Sequence, residues 1–415
     1  MRIGAIADDL TGATDLGLML ARGGLRVVQC VGVPASTAAI GDAQAIIVAL
    51  KTRTVPASEA VARSLEALRF LEAAGAERFL FKYCSTFDST DEGNIGPVTD
   101  ALMEALGERR SIACPAMPAN GRTIYQGHLF VGSSLLSESS MKDHPLTPMR
   151  DADLVRVLQR QTRHPVSLIA HETVRGEGAT LDRALAGIAG IAIVDAIDED
   201  DLKRIGRAAR DMRLVTGGSG IGLGMAATVP VEASGEGAVA IAPSPGGAVI
   251  LAGSCSEATR RQIARAVEAG APAMRIVPAS LASGDLTVAR AMAFVQGARG
   301  PLPAIVYSSA EPGDIAKVQQ ALGREAAGAL IERFLADVAR GLLEGGTTRF
   351  IVAGGETSGA ITHALAADTL AIGPEIDPGV PWTTFVREGR TIALALKSGN
   401  FGADDFLLKA WDLLG

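Results

Sequence analysis

Short apolar runs of strand length alternate along this chain with longer segments whose apolar positions recur every three to four residues. Strand-like runs fall at residues 3–7, 26–32, 45–50, 78–83, 111–113, 166–170, 191–195 and 214–216. Between the first two, Ala13, Leu16, Met19 and Leu20 make a helical stripe that stops at Gly23-Gly24; Ala60, Leu65, Leu68 and Leu71 make another before Gly75. Repeated strand, helix, strand order predicts parallel pairing through right-handed crossovers. Residues 122–132 read instead as a β-hairpin carried on the sheet. The alternation restarts with a strand at 248–252, a helix at 259–269, strands near 274–277 and 304–308, a long helix over 326–343, and strands at 349–353 and 391–397.

Between the two series, residues 233–247 are rich in Gly, Ala, Ser and Pro and read as a linker. The expected architecture is two α/β domains, each with a largely parallel sheet flanked by helices, and a ligand cleft between them. The N-terminal domain is expected over 1–232 and the C-terminal domain over 248–415. A length of 415 residues agrees with two cores rather than one.

Composition narrows the function classes. Hydrophobic residues at 48% and charged residues at 20% describe packed globular domains, not a disordered chain. A formal charge of −7 with no basic block argues against a nucleic-acid or anionic-membrane partner. Cys30, Cys84, Cys114 and Cys255 are widely spaced, and the five histidines show no HExxH, so no metal site is expected. The absence of a secretory pattern or a long apolar run leads to the expectation of a cytoplasmic protein, with a homodimer expected only from the commonness of that symmetry.

The chemistry gathers at strand ends. The first apolar run stops at Asp8-Asp9, where ligands bind in open α/β sheets. One of these acids can cap the following helix; two in succession point further, to a hydroxyl, ammonium or metal-bridged ligand. Lys51-Thr52-Arg53 follows the third strand, and Lys82-Tyr83-Cys84-Ser85-Thr86-Phe87-Asp88 follows the fourth. An Arg fork and a Lys suit an anionic group, and Asp accepts from hydroxyls, which together suit a hydroxylated acid. In the second half, three strands each deliver a loop of small residues, at 252–256, 354–359 and 397–402. Such loops let backbone N–H groups approach phosphate oxygens. No GxxxxGK[ST] or GxGxxG occurs, and the glycine-rich 217–224 reads as a turn.

At these residues the chain resembles the four-carbon acid sugar kinase family, in Ala7-Asp-Asp-Leu-Thr-Gly-Ala13, Lys82-Tyr-Cys-Ser-Thr-Phe-Asp-Ser-Thr90, Gly354-Gly-Glu-Thr-Ser-Gly359 and Lys397-Ser-Gly-Asn-Phe-Gly402. The likeness runs along essentially the whole chain. It implies an N-terminal domain that binds a sugar acid, a C-terminal domain that binds ATP, and transfer of the γ-phosphoryl group to the terminal hydroxyl of a four-carbon acid such as a 3-oxo-tetronate. By the same resemblance, Ser254, Gly354, Gly355, Glu356, Thr357 and Gly399 are expected to contact nucleotide. Asp9, Arg53, Lys82, Tyr83, Cys84 and Ser85 are expected to contact substrate, with Asp88 added from its place at the strand end. Asp8 or Asp9 is the expected acceptor of the hydroxyl proton, Lys82 or Arg53 the group orienting the substrate, and Mg²⁺ a partner of the ATP oxygens. Other readings are threonate or erythronate kinase, a sugar-acid sensor without turnover, and an oxidoreductase or lyase; the missing dinucleotide fingerprint disfavours an oxidoreductase.

Overall fold

The computed structural model describes residues 2–144, 146–230, 241–308 and 324–414. Contacts divide the chain into two compact units, Met1–Ala238 and Val239–Gly415. The division falls inside the linker expected at 233–247, of which residues 233–240 lie outside the described residues.

The first unit is built on strands β1 (Ile3–Ala7), β2 (Val27–Val31), β3 (Ala45–Ala49), β4 (Arg78–Lys82), β5 (Arg110–Cys114), β6 (Arg122–Tyr125), β7 (His128–Val131), β8 (Ser134–Leu135), β9 (Val166–Ile169), β10 (Gly190–Val194) and β11 (Leu214–Gly217). Its main sheet has the order β2-β3-β1-β4-β11-β5-β10-β9, with every pairing parallel. Strands β1, β3 and β10 are buried at every residue, because helices cover both faces and a continuous apolar run satisfies both. From β1 the chain passes to β2 and β3 on one side and then to β4 on the other, so the end of β1 is the switch point where such sheets bind ligands. Ala7 pairs with both Ala49 and Lys82, which brings the loops after β1, β3 and β4 out at one level.

The hairpin expected at 122–132 forms, with Gln126 and Gly127 at positive φ in its turn; it joins β8 in a three-stranded sheet of its own, and Ile124 exchanges backbone bonds with Ala196 just past β10. One expectation needs correction. The glycine-rich 217–224 is no turn: Gly220–Ala226 is a wholly buried helix. Its glycines permit close packing, since a Cβ on Gly224 would lie 2.0 Å from the Leu202 carbonyl oxygen and one on Gly217 2.2 Å from that of Cys114.

The second unit contains β12 (Gly247–Ala252), β13 (Ala273–Arg275), β14 (Ala304–Tyr307), β15 (Thr347–Ala353), β16 (Thr369–Asp377), β17 (Val380–Arg387) and β18 (Arg390–Lys397). The order is β13-β14-β12-β15-β18-β17-β16, parallel through β18 and antiparallel beyond it. Strands β16 and β17 were not expected from the sequence. Gly373-Pro374 interrupts β16 where a proline reads as a strand breaker, and the structure accommodates it at a register shift between Ile372 and Glu375. The core of this unit packs Ile250, Ile305, Ile351 and Phe406 around Trp382, whose indole N–H donates to the Ala410 carbonyl at 2.8 Å. No described helix is long and apolar enough to cross a membrane.

Candidate functional site

In the first unit the loops after β1, β3 and β4 are tied together by backbone bonds. Asp8 N–H donates to the Lys82 carbonyl at 3.0 Å and Thr52 N–H to the Asp8 carbonyl at 3.0 Å. Asn94 reinforces the arrangement: its side-chain amide donates to the carbonyls of Thr52, Arg53 and Val55 at 2.7, 3.2 and 2.9 Å. An Asn directly before a helix reads as a cap in the sequence, yet its side chain makes no capping bond to the helix Ile95–Leu106. Its positioning role depends on a contact more than forty residues away in sequence, which no local pattern carries.

On this frame Arg53 is the hub. Its Nε and Nη2 meet the two Asp8 carboxylate oxygens at 2.8 and 2.7 Å, and Nη2 also meets Asp9 Oδ1 at 2.7 Å. Asp88 Oδ2 stands 3.6 Å from Nη1, and Lys82 Nζ lies 3.8 Å from Asp9 Oδ1. Asp9 also caps the helix Leu10–Arg22, its Oδ2 accepting from Thr11 Oγ1 at 2.7 Å and from the Gly12 N–H at 3.2 Å. The two acids therefore differ. Burial raises Asp8 above the usual carboxylate range despite Arg53. Burial also pushes Asp9 upward, but Arg53, Lys82, Thr11 and Gly12 outweigh it and hold that carboxyl well below the usual range.

Gly12 has a role that the sequence conceals. A Cβ there would lie 2.0 Å from Lys82 Nζ and 2.3 Å from Asp9 Oδ1, so glycine lets the lysine end stand where it does beside the acid, and any larger residue would displace it. Asp88 sits in a strained turn that its neighbours hold: Phe87 and Asp88 adopt φ of 65° and 41°, and Thr86 Oγ1 donates to Asp88 Oδ1 at 2.7 Å. Tyr83 serves the core, fully buried between Phe81 and Phe87 with its hydroxyl 3.1 Å from that of Thr216. Cys84 is half-buried, and burial together with Asp88 pushes its thiol up to about 12. Ser85 is half-buried at the same turn, and Ser89 beyond it borders a cleft of about 350 Å³ that Arg150 and Arg160 also line.

The three glycine loops of the second unit also converge, because β12, β15 and β18 are neighbours. Gly354 N–H donates to the Lys397 carbonyl at 2.9 Å, Ser254 N–H to that of Ala353 at 3.1 Å, and Ser256 Oγ to that of Gly399 at 2.5 Å. Side-chain bulk is excluded where they meet. A Cβ on Gly253 would lie 2.1 Å from Thr357 Oγ1, one on Gly399 2.5 Å from Ser254 Oγ, and Gly354 has a φ of 123° that other residues rarely adopt. Gly355, Glu356 and Thr357 form the first turn of the helix Gly355–Ala364, where N–H groups have no intrahelical acceptor; Gly355 and Glu356 are exposed, whereas Thr357 is buried. The cradle suits the oxygens of a phosphate chain.

Fold and loops thus define a two-domain α/β protein with a charged, hydroxyl-compatible cluster in one unit and a phosphate-compatible cradle in the other. Family models match in the same order: a sugar-binding N-terminal domain over residues 3–225 and a nucleotide-binding C-terminal domain over residues 249–407. A 3-oxo-tetronate kinase of Burkholderia multivorans is 52% identical over 98% of this chain and 96% of its own length. One of Cupriavidus necator is 51% identical over 100% and 97%. A crystal structure from Salmonella typhimurium LT2, described as that of a tRNA synthase, is 41% identical, covers 100% of both chains and superposes with a TM-score of 0.90. The chain belongs to the four-carbon acid sugar kinase family.

Proposed function

We propose that this protein is an ATP-dependent kinase that phosphorylates the terminal hydroxyl of a four-carbon acid sugar, 3-oxo-tetronate in the first instance. The observation that carries this reading is the identity of about half the residues, over essentially the full length, with relatives named 3-oxo-tetronate kinases. A tRNA-directed role is disfavoured by the formal charge of −7, since nucleic-acid binding draws on basic surface.

The residues divide the work in this proposal. Asp9, fixed as an anion by its cap and its cations, accepts a hydrogen bond from a substrate hydroxyl. Asp8, with the higher proton affinity of the two, takes the hydroxyl proton, and Lys82 holds substrate oxygen beside them. Arg53 orients both acids; its fork is already filled by Asp8 and Asp9, so it acts through them. Cys84, Ser85 and Asp88 complete the substrate side, and Tyr83 supports it from the core. Ser254, Gly354, Gly355, Glu356, Thr357 and Gly399 hold the nucleotide, a reading supported by loops so closely packed that a Cβ on Gly253 or Gly399 would meet Thr357 Oγ1 or Ser254 Oγ. ATP supplies the phosphoryl group when bound. Among the described residues no group of three or more His, Cys, Asp or Glu is arranged around a metal, so Mg²⁺ is assigned to the phosphate oxygens and water.

The test is ADP release with MgATP across 3-oxo-tetronates, threonate and erythronate, followed by identification of the phosphorylated carbon. Turnover with a 3-oxo-tetronate at carbon 4 is expected. Turnover only with threonate or erythronate would move the substrate, and none with any of them would overturn the kinase reading.

A further inference from the structure

Lys397 ends β18 with no exposed surface at all. Its Nζ is surrounded by four oxygens: Thr259 Oγ1 at 3.0 Å and the carbonyls of Ser398, Gly399 and Phe401 at 3.1, 3.0 and 3.1 Å. Three of these belong to the loop that immediately follows the lysine, so the side chain folds back beneath its own loop and gathers it. Thr259 Oγ1 donates to the Gly399 carbonyl at 2.9 Å and therefore faces Nζ as an acceptor. Carbonyls accept only, so the whole shell consists of acceptors, and an ammonium with three N–H groups answers it better than a neutral amine. The Gly399 carbonyl, at the centre, receives Lys397, Ser256 and Thr259 together.

No carboxylate lies within ion-pair distance of this ammonium among the described residues. Burial accordingly brings its pKa down to about 7. A buried cation without a counter-ion, wrapped in backbone carbonyls and a hydroxyl, has the coordination of a potassium or ammonium ion in a protein site rather than that of a salt bridge. Its covalent stem keeps it in place.

We propose that Lys397 is a tethered monovalent cation, a positioning residue that shapes the Ser398–Phe401 turn for nucleotide phosphate and supplies uncompensated positive charge to it. The inference rests on the nucleotide reading of the glycine loops. It follows that the natural protein needs no added monovalent cation for this loop, and that shortening the side chain opens a site that such a cation fills.

The experiment uses the full chain at a pH slightly below neutrality, with ATP binding followed by calorimetry and unfolding by Trp fluorescence. Lys397→Ala is expected to bind ATP at least about tenfold more weakly. Ammonium or potassium chloride should restore much of that loss and raise the unfolding midpoint, whereas choline chloride at equal ionic strength should do neither. The natural protein should respond alike to all three salts. Lys397→Met fills the space with no charge; it should bind ATP as weakly as Lys397→Ala and gain nothing from ammonium. Thr259→Val keeps the shape, removes one oxygen of the shell and should weaken ATP several-fold, which tests the shell if the lysine variants fail to fold. Unchanged ATP affinity in a folded variant, or a loss blind to ammonium and potassium in Lys397→Ala, would overturn the proposal. If the natural protein binds no ATP, the nucleotide reading fails instead; the ammonium-specific rise in the unfolding midpoint of Lys397→Ala then decides the cation site alone.

Discussion

Replacing Arg53 by methionine removes a group that faces three carboxylates, and the structure allows the cost to be worked out. The Arg53 side chain is 22% exposed, with Asp8 8%, Asp9 26% and Asp88 9%. At an effective dielectric of about 20, each 2.7 Å contact is worth roughly 6 kcal/mol before desolvation. Desolvation cancels much of this, and deleting one partner of a buried pair costs about 3–5 kcal/mol in practice, the loss expected for Arg53→Met at neutral pH. The sign with pH follows from the two acids. Asp9, held low by Arg53, contributes stability above its unfolded pKa that is lost as pH falls through its lower folded value. Without Arg53 it loses its main stabilising partner, and Asp8, already raised, rises further. The folded variant then binds more protons than the unfolded chain at mildly acid pH, so its deficit is largest at neutrality and narrows toward pH 4. Arg53→Lys keeps a charge without the two-pronged contact and should lose less. Both tryptophans, Trp382 and Trp411, and Tyr307 lie in the second unit, whereas Tyr83 and Tyr125 lie in the first. In urea unfolding the near-ultraviolet tyrosine transition, read in a Tyr307→Phe background, should therefore shift while the tryptophan transition stays in place. A loss below about 1 kcal/mol at neutral pH, the range of an exposed pair, would refute the reasoning, as would a loss constant down to mildly acid pH.

Gly12→Ala places a methyl where Lys82 Nζ lies, so the protein should fold but lose on the order of 100-fold in kcat, read by steady-state ADP release. Gly253→Ala drives a methyl into Thr357 Oγ1 and should weaken ATP by at least about tenfold while sugar-acid binding, measured by calorimetry without nucleotide, is unchanged. Lys397, depressed to about 7, makes the second unit more stable as pH rises toward the ordinary lysine value, because the unfolded chain then holds the extra proton. The tryptophan transition should gain up to about 1.4 kcal/mol per pH unit above pH 8, and this slope should vanish in Lys397→Met.

The positions of the strands that carry the site were legible because β1, β3 and β4 are buried on both faces and so read as uninterrupted apolar runs. Asp8, Asp9, Arg53 and Lys82 could each be put at a strand end for the same reason. Their mutual geometry was not legible: a sequence shows an arginine able to grip a carboxylate but not that Asp8 already occupies its fork. Asn94 and Gly12 act on partners distant in sequence, which no spacing rule reaches. Glycine-rich text proved ambiguous in a physical sense. At 354–359 it supplies the φ of 123° at Gly354 and borders open space at Gly355 and Gly359, and at 217–224 it clears space for a neighbouring backbone, with the same residue type meeting both needs.

The charges of the first cluster bear on how it can receive an acid. Asp8, Asp9 and Asp88 stand against Arg53 and Lys82, so with all five ionised the cluster carries one negative charge in excess. An incoming carboxylate adds to that excess, which raises the tendency of one of the acids to accept a proton from the substrate hydroxyl. Asp9 is ill suited to take it, because its cap and its two cations favour the anion. Asp8 is the acid whose burial already favours the protonated form. Taking the substrate hydroxyl's proton there would bring the cluster's own charge to zero at transfer, and it would also loosen one arm of the Arg53 fork, since a carboxylic acid hydroxyl is a weaker acceptor for the guanidinium than a carboxylate oxygen. The two adjacent acids differ in hydrogen bonding, and the proposed division of labour follows from that: one is locked to a helix and two cations, the other is the acid proposed to change charge when the hydroxyl gives up its proton.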